Sequence, residues 1–259
     1  MINSEKEASG MAKLALDTAT EALSVTVIDD ADRVLGHTSL AAGKQHGERL
    51  VPVVAQLLED CNVDCQAVDS LYVGVGPGSY TGVRIGVTLA KTWADSLGLA
   101  LYQMSSLALL AAQASVPVGD YIIPLMDARR LSAYTALYQQ TDQGLVAVTA
   151  DCHADWQTWL SSEASQHLQA GAQVVMIGQH LAPFAEAFSQ ALPDVSLKTV
   201  EGWTAYPHTD KFQQVAHERV VEPALLEPVY GHLTLAEQEW LAKEGGASVD
   251  HAALIHYYS

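Results

Sequence analysis

One stretch constrains this chain more than any other: Val73–Leu97, reading VGVGPGSYTGVRIGVTLAKTWADSL. The run Leu71–Val75 predicts a buried strand. Gly74, Gly76 and Gly78, with Pro77 between the last two, predict a tight turn. Ser79 or Thr81 can accept the free amide hydrogens of the helix that follows, expected over Gly82–Leu97. On that helix Arg84, Thr88, Lys91 and Asp95 share one narrow polar face. Gly82, Gly86, Leu89, Trp93 and Leu97 lie opposite, and Val83, Ile85, Val87, Ala90 and Ala94 fill the flanks. So wide an apolar surface predicts cover on two sides, by the chain's own sheet and by another helix. Gly82, Gly86 and Ala90, four apart, admit close backbone approach, either inside one domain or against a partner.

The glycines do not spell a nucleotide motif. A phosphate loop of the Walker kind needs Lys and Ser/Thr after its last glycine, and here Gly82 is followed by Val83 and Arg84. The residue three beyond Gly76 is Ser79, which breaks the dinucleotide pattern, and Ser79 is not in a GxSxG elbow. What remains is a strand-to-helix turn whose amides would suit an anion.

Charge narrows the partners. Thirteen Lys and Arg stand against 30 Asp and Glu, a formal charge of -17. Such a surface repels RNA and anionic lipid over distance, so work on nucleic acid alone would need a basic partner or patch. Arg84 and Arg129, each close after a turn, are candidates for a local patch. Cys61, Cys65 and Cys152 match no zinc or redox spacing and suggest reduced thiols of a cytoplasmic protein. No signal peptide or membrane-spanning apolar run is expected. Residues 1–11 are expected to be a disordered extension.

The elements follow in order. Leu14–Asp17, Leu23–Ile28 and Val34–Leu40 predict a three-stranded antiparallel meander. Asp17 closes the first strand and can hold a cation or cap the turn; its spacing favours the cap. His46–Asp60 predicts a helix, in which His46 has no histidine three or four residues later. Strand Leu99–Tyr102 and helix Leu107–Ala114 precede a boundary at Val116–Gly119. The pattern then restarts: a strand Tyr121–Met126 ends in Asp127, a turn covers Ala128–Arg130, and strands are expected over Leu131–Tyr138 and Leu145–Thr149. This second strand–Asp–turn–strand order suggests an internal duplication. Helices are expected over Asp155–Ala170 and Pro183–Ala191, strands over Val174–Ile177 and Val195–Val200, and a helix from Thr209 or Asp210 toward Val221. An extended tail, Glu222–His232, and a last helix, Leu235–Glu244, complete the reading.

These motifs resemble a known family. LALDTAT (Leu14–Thr20), QHGERLVPVVAQLL (Gln45–Leu58), GVGPGSYTGVRIGV (Gly74–Val87), MSSL (Met104–Leu107) and MDARR (Met126–Arg130) are similar to the bacterial threonylcarbamoyladenosine biosynthesis proteins of the TsaB (YeaZ) type. PVYGH (Pro228–His232) stands where that family has Pro-x-Tyr-x-Arg, with His232 replacing the arginine. The resemblance implies an α/β, actin-like duplicated fold: an N-terminal subdomain over 12–116, a C-terminal one over 117–235, and a tail over 236–259. It implies a cytoplasmic, non-catalytic scaffold with no tightly bound cofactor. ATP and metal would reside on its partners, the metal-bearing paralogue TsaD and the ATPase TsaE. Alone it would form a homodimer, and tRNA would be met only within the complex.

The paralogue carries two histidines four apart in its first helix, where this chain has His46 and Leu50. The small ridge and wide apolar sector of the Gly82–Leu97 helix, with the first helix beside it, make an interface expected at His46, Leu50, Gly82, Val83, Gly86, Val87, Ala90 and Trp93. Asp17, Gly76, Gly78, Ser79, Thr81, Arg84, Asp127 and Arg129 are expected in structural or vestigial loops. The competing reading is an actin-fold phosphotransferase or a glycoprotease-like hydrolase acting alone. The glycine-free turn Thr18–Glu21 and the lack of an activated nucleophile speak against it.

Overall fold

The computed structural model describes residues 11–231. The expectations for residues 1–10, His232 and the helix Leu235–Glu244 lie outside them. The chain builds two mixed sheets. In the first, β1 (Ala12–Asp17), β2 (Ala22–Asp29) and β3 (Val34–Ala41) form the antiparallel meander. The helix α1 (His46–Asp60) follows. Then β4 (Val68–Gly74) pairs parallel to β1, the long helix α2 (Tyr80–Leu97) crosses over, and β5 (Ala100–Met104) pairs parallel to β4. Gly98 ends α2 in the left-handed conformation (φ 68°), where a side chain would strain the backbone. The short helix α3 (Ser106–Ala111) is capped by Ser105, whose oxygen accepts the Ala108 N–H at 3.0 Å.

The second sheet repeats this plan. β6 (Tyr121–Asp127) and β7 (Ser132–Thr135) pair antiparallel, the hairpin β8 (Tyr138–Thr141) and β9 (Gly144–Ala147) intervenes, and β10 (Cys152–Asp155) returns to β7. A helical stretch follows, made of α4 (Trp156–Trp159), a π-turn at Leu160–Ala164 and α5 (Ser165–His167). β11 (Gln173–Gly178) then pairs parallel to β6, α6 (Ala182–Ala191) crosses, and β12 (Ser196–Val200) pairs parallel to β11. The path β3-β2-β1-β4-β5 of the first sheet is thus matched by β10-β7-β6-β11-β12 in the second. This is the duplicated α/β architecture that the sequence implies.

The repeat aligns differently from its sequence reading. Its third strand is β10, not Leu145–Thr149, which supplies only the inserted β9. The strand expected over Leu131–Tyr138 is broken after Thr135, because Leu137 turns to meet the next hairpin: its carbonyl accepts from Val148 and Thr149, and its N–H donates to Thr149 Oγ1. The helix expected from Thr209 is also corrected. A short 3-10 turn, Thr209–Gln214, is followed by β13 (His217–Val220), which adds to the outer edge of the first sheet beside β5. The chain therefore returns to the first lobe, with Leu226 in that lobe's core.

Three apolar clusters hold these parts. One packs α1 and α2 on the first sheet, a second packs α6 and the Trp156–Trp159 stack on the other sheet. The third lies between the lobes and gathers Ile28, Tyr72, Met104, Leu109, Ile122, Ile177 and Phe212. Burial of this kind supplies roughly 1.5–3 kcal/mol per large side chain, so the lobes are joined by a packed core as well as by chain crossings.

Candidate functional site

The glycine loop is shaped around the chain's own turn. The β1–β2 turn, Thr18–Glu21, presses onto it. A β-carbon on Gly78 would lie 2.4 Å from the Ala19 carbonyl oxygen, and one on Gly82 would lie 2.2 Å from that of Thr18. Three of the loop amides have partners, one of them in this turn. Ser79 N–H donates to Ala19 O at 2.7 Å, Gly76 N–H to Ser106 Oγ at 3.2 Å, and Gly82 N–H meets Ser79 Oγ at 3.4 Å. Thr18 Oγ1 returns the contact by donating to Gly82 O at 2.7 Å. The turn thus takes the Ser79 amide, while Gly78, Ser79 and Tyr80 also border the cavity between the lobes. Ser79 does cap α2, which starts at Tyr80, two residues before its expected start; Thr81 is exposed on its first turn.

Asp17 sits beneath this lock, fully buried. Its Oδ1 accepts the Ala19 N–H at 2.9 Å, and its Oδ2 accepts from Ser106 Oγ at 2.5 Å. The turn-capping role read from its spacing is what these contacts describe. Burial pushes its carboxyl up to about 6, while the two hydrogen bonds pull the other way. Gly74 is required beside it, since a β-carbon there would fall 1.9 Å from Asp17 Oδ2.

The two faces of α2 are now assigned. Gly82, Val83, Gly86, Val87 and Ala90, expected in an interface, are buried on the chain's own sheet and turn. At Gly86 a β-carbon would approach Thr18 Oγ1 to 2.4 Å and Leu16 Cδ1 to 3.2 Å. The small residues admit a β-turn rather than a second helix. Leu50 is likewise in the core, 1% exposed, and His46 is 5% exposed with Nε2 lacking a hydrogen-bond partner. Trp93 is half-buried against the first core.

What faces outward is a furrow between α1 and α2, about 520 Å³ in volume. Val51, Ile85 and Leu89 give it an apolar floor, and Tyr80, Arg84 and Thr88 form its rim. Val51 is 57% exposed and Tyr80 46%, values high for apolar and aromatic side chains. Arg84 donates to Tyr80 Oη at 3.1 Å. The sequence reading passed over Val51 and Tyr80. Their signal was an extra apolar position beside the core period of α1, and an aromatic at the helix start.

A second cavity, of about 890 Å³, lies between the lobes. Thr20, Glu21, Lys44, Asp127, Arg129 and Tyr206 are among its walls. Asp127 Oδ1 accepts the Arg129 N–H at 2.7 Å. Arg129, Arg130 and Leu131 follow in left-handed backbone (φ 75°, 54° and 56°), a strained turn at the cleft mouth. Arg84 and Arg129 are thus in different places, furrow and cleft, and form no shared patch. Among the described residues no cluster of three His, Cys, Asp or Glu has metal-binding geometry, and no helix is long and apolar enough to cross a membrane.

Comparison with known proteins follows this geometry. A family model described as "TsaD: tRNA N6-adenosine threonylcarbamoyltransferase" matches residues 36–241. A Bacillus subtilis protein named tRNA threonylcarbamoyladenosine biosynthesis protein TsaB is 42% identical over 149 residues, 56% of this chain and 64% of that protein. An uncharacterised Mycobacterium bovis protein is 36% identical over 48% of this chain and 58% of its own length. The chain thus spans less than two thirds of either relative. A Haemophilus influenzae protein also named TsaB is 26% identical over 89% of this chain and 86% of its own. Among solved structures, one titled YeaZ from Pseudomonas aeruginosa superposes with a TM-score of 0.66 at 26% identity, covering 85% of this chain and 99% of that one. With its glycine loop, its duplicated sheets and these matches in agreement, the chain belongs to the TsaD family of the matching model and, within it, to the TsaB/YeaZ type.

Proposed function

We propose that this protein takes part in forming threonylcarbamoyladenosine on tRNA as a non-catalytic subunit, docking a TsaD-type catalytic paralogue through the α1–α2 furrow. The observation that carries this reading is the contrast between the two faces of α2. Its inner face is closed by the chain's own Leu16 and Thr18, which leave no room for a β-carbon on Gly86, while its outer face keeps an open apolar furrow. A furrow floored by Val51, Ile85 and Leu89 suits the apolar stripe of another helix. The same face would pair two copies of this chain when the paralogue is absent, so the two uses compete. His46 with Leu50 one turn later supplies one imidazole, and a metal site needs several converging ligands. ATP, metal and the contribution of a TsaE-type ATPase then belong to the partners. With a charge of -17, tRNA is engaged within the assembled cytoplasmic complex rather than by this chain alone.

Reconstitution tests the reading. The chain is mixed with the TsaD-type paralogue, the TsaE-type ATPase, tRNA and threonylcarbamoyl-adenylate, and modified adenosine is measured with each component omitted. Modification should require both this chain and the paralogue. Modification by the chain alone, or by the paralogue at full rate without it, would refute the scaffold role.

A further inference from the structure

Tyr80 is the one side chain that lines both the furrow and the interlobe cleft. It is also the seat of the tail. The Tyr230 ring stacks on Tyr80 with centroids 4.3 Å apart and planes 22° from parallel. On one side of that stack, Val229 N–H donates to Val75 O at 2.7 Å, and a β-carbon on Gly76 would lie 2.4 Å from Val229 O. On the other side, Gly231 (φ 67°) packs into the angle between Tyr134 of the second sheet and Pro77 of the glycine loop, where a β-carbon would meet them at 3.3 and 3.4 Å. The segment Val229–Gly231 therefore runs from the first lobe to the second across the glycine loop. It is held midway by one ring whose other face belongs to the furrow.

We infer that the Tyr80–Tyr230 stack is a latch coupling occupancy of the α1–α2 furrow to the separation of the two lobes. The inference extends the docking reading, although the latch itself is a property of this chain. An occupant of the furrow touches Tyr80 at the rim, where Arg84 donates to its hydroxyl at 3.1 Å and the Tyr230 side chain hydrogen-bonds it as well. Turning the Tyr80 ring removes the surface on which Tyr230 rests, and with it the hold of Gly231 on Tyr134. Coupling of this kind is reciprocal: whatever frees the strap changes the affinity of the furrow by the same factor.

The test measures lobe separation in the full chain. Spin labels on cysteines placed at the exposed positions Gln56 on α1 and Glu186 on α6 report the distance, with Cys61, Cys65 and Cys152 replaced by alanine and folding checked by melting. Tyr230→Phe keeps the ring but gives up the hydroxyl bond to Tyr80, so its distribution should stay nearer the parent than that of Tyr230→Ala. Tyr230→Ala should shift it to longer distances and widen it. Adding the TsaD-type paralogue should shift the parent and leave Tyr230→Ala without a further shift. Val51→Trp, which crowds the furrow from within, should move the parent distribution in the same way without any partner. If the paralogue binds and the distance stays put, the latch is overturned and docking stands. If the paralogue fails to bind, docking is overturned, and the Tyr230→Ala and Val51→Trp distances decide the latch: a shift in both supports it, and a shift in neither or in one alone overturns it.

Discussion

Gly86 gives the sharpest test of how α2 is seated. A β-carbon there would lie 2.4 Å from Thr18 Oγ1, well inside contact, and 3.2 Å from Leu16 Cδ1. Thr18 and Leu16 are fully buried and cannot swing into solvent. Gly86→Ala must push the Thr18 hydroxyl away and so disturb its bond to Gly82 O. Overpacking costs about 1–3 kcal/mol, and a buried polar group left unpaired adds about 1–3 kcal/mol. Better helix propensity offsets roughly 1 kcal/mol of this. The net loss is about 1–5 kcal/mol, which in a domain of this size lowers the melting temperature by several degrees, at roughly 2–4 °C per kcal/mol. Gly86→Leu should not fold at all. Thermal melting by circular dichroism measures the loss, and sedimentation of the folded Gly86→Ala protein measures association, which should match the parent. A Gly86→Ala protein that melts with the parent yet fails to associate would refute this seating and return the glycine ridge to an interface.

Three further outcomes are expected. Val51→Asp places a charge on the furrow floor at an exposed position, so it should leave melting unchanged and weaken binding of the paralogue by at least about tenfold, an effect of ~1.4 kcal/mol; titration calorimetry that finds parent affinity would remove the furrow from the docking surface. Asp17 has its folded value raised to about 6 from an ordinary 3.8, so its contribution to stability is full below 3.8 and is lost as pH rises through about 6. Relative to Asp17→Asn, the parent should therefore lose about 3 kcal/mol between pH 3.5 and pH 7.5, read by urea unfolding at each pH; parallel curves for the two proteins would contradict the buried carboxylate. Thr209 Oγ1 lies between Ser24 Oγ at 3.0 Å and Thr26 Oγ1 at 2.8 Å in the seam that returns the chain to the first lobe. Thr209→Val should cost about 1–3 kcal/mol in urea unfolding, and an unchanged midpoint would show the seam to be dispensable.

The sequence announced local structure better than it announced facing. The first meander, the glycine turn, the Ser79 and Gly98 ends of α2 and the early Pro52 of α1 each carry their cause within a few residues. The seating of α2 does not. Gly82, Gly86 and Ala90 accommodate any close neighbour, and the neighbour chosen is Thr18, 64 residues from Gly82 and invisible to helical periodicity. β13 was hidden for another reason. His217, Glu218 and Arg219 are exposed on an edge strand, so no apolar alternation marks it. The repeat was legible as a pattern but misplaced by the β8–β9 hairpin, an insertion that looks like one more strand of the meander.

On the proposed scaffold role, His46 and Leu50 mark where the metal chemistry implied by the resemblance would be lost. A metal pair on one helix turn needs both side chains to leave the helix toward an open cleft. In this chain the turn carrying them faces inward: Leu50 lies in the core of the first lobe at 1% exposure, and His46 is buried at 5%. Gly47 and Val51 on the same helix border the furrow, and Leu50 also lines it. A β-carbon on Gly47 would touch Ile85 Cδ1 at 3.7 Å, so α1 and α2 approach closely enough to share one floor. The rotation that hides the imidazole also presents Val51. On this packing Leu50 belongs both to the core and to the furrow lining, so a polar residue there would disturb the two together.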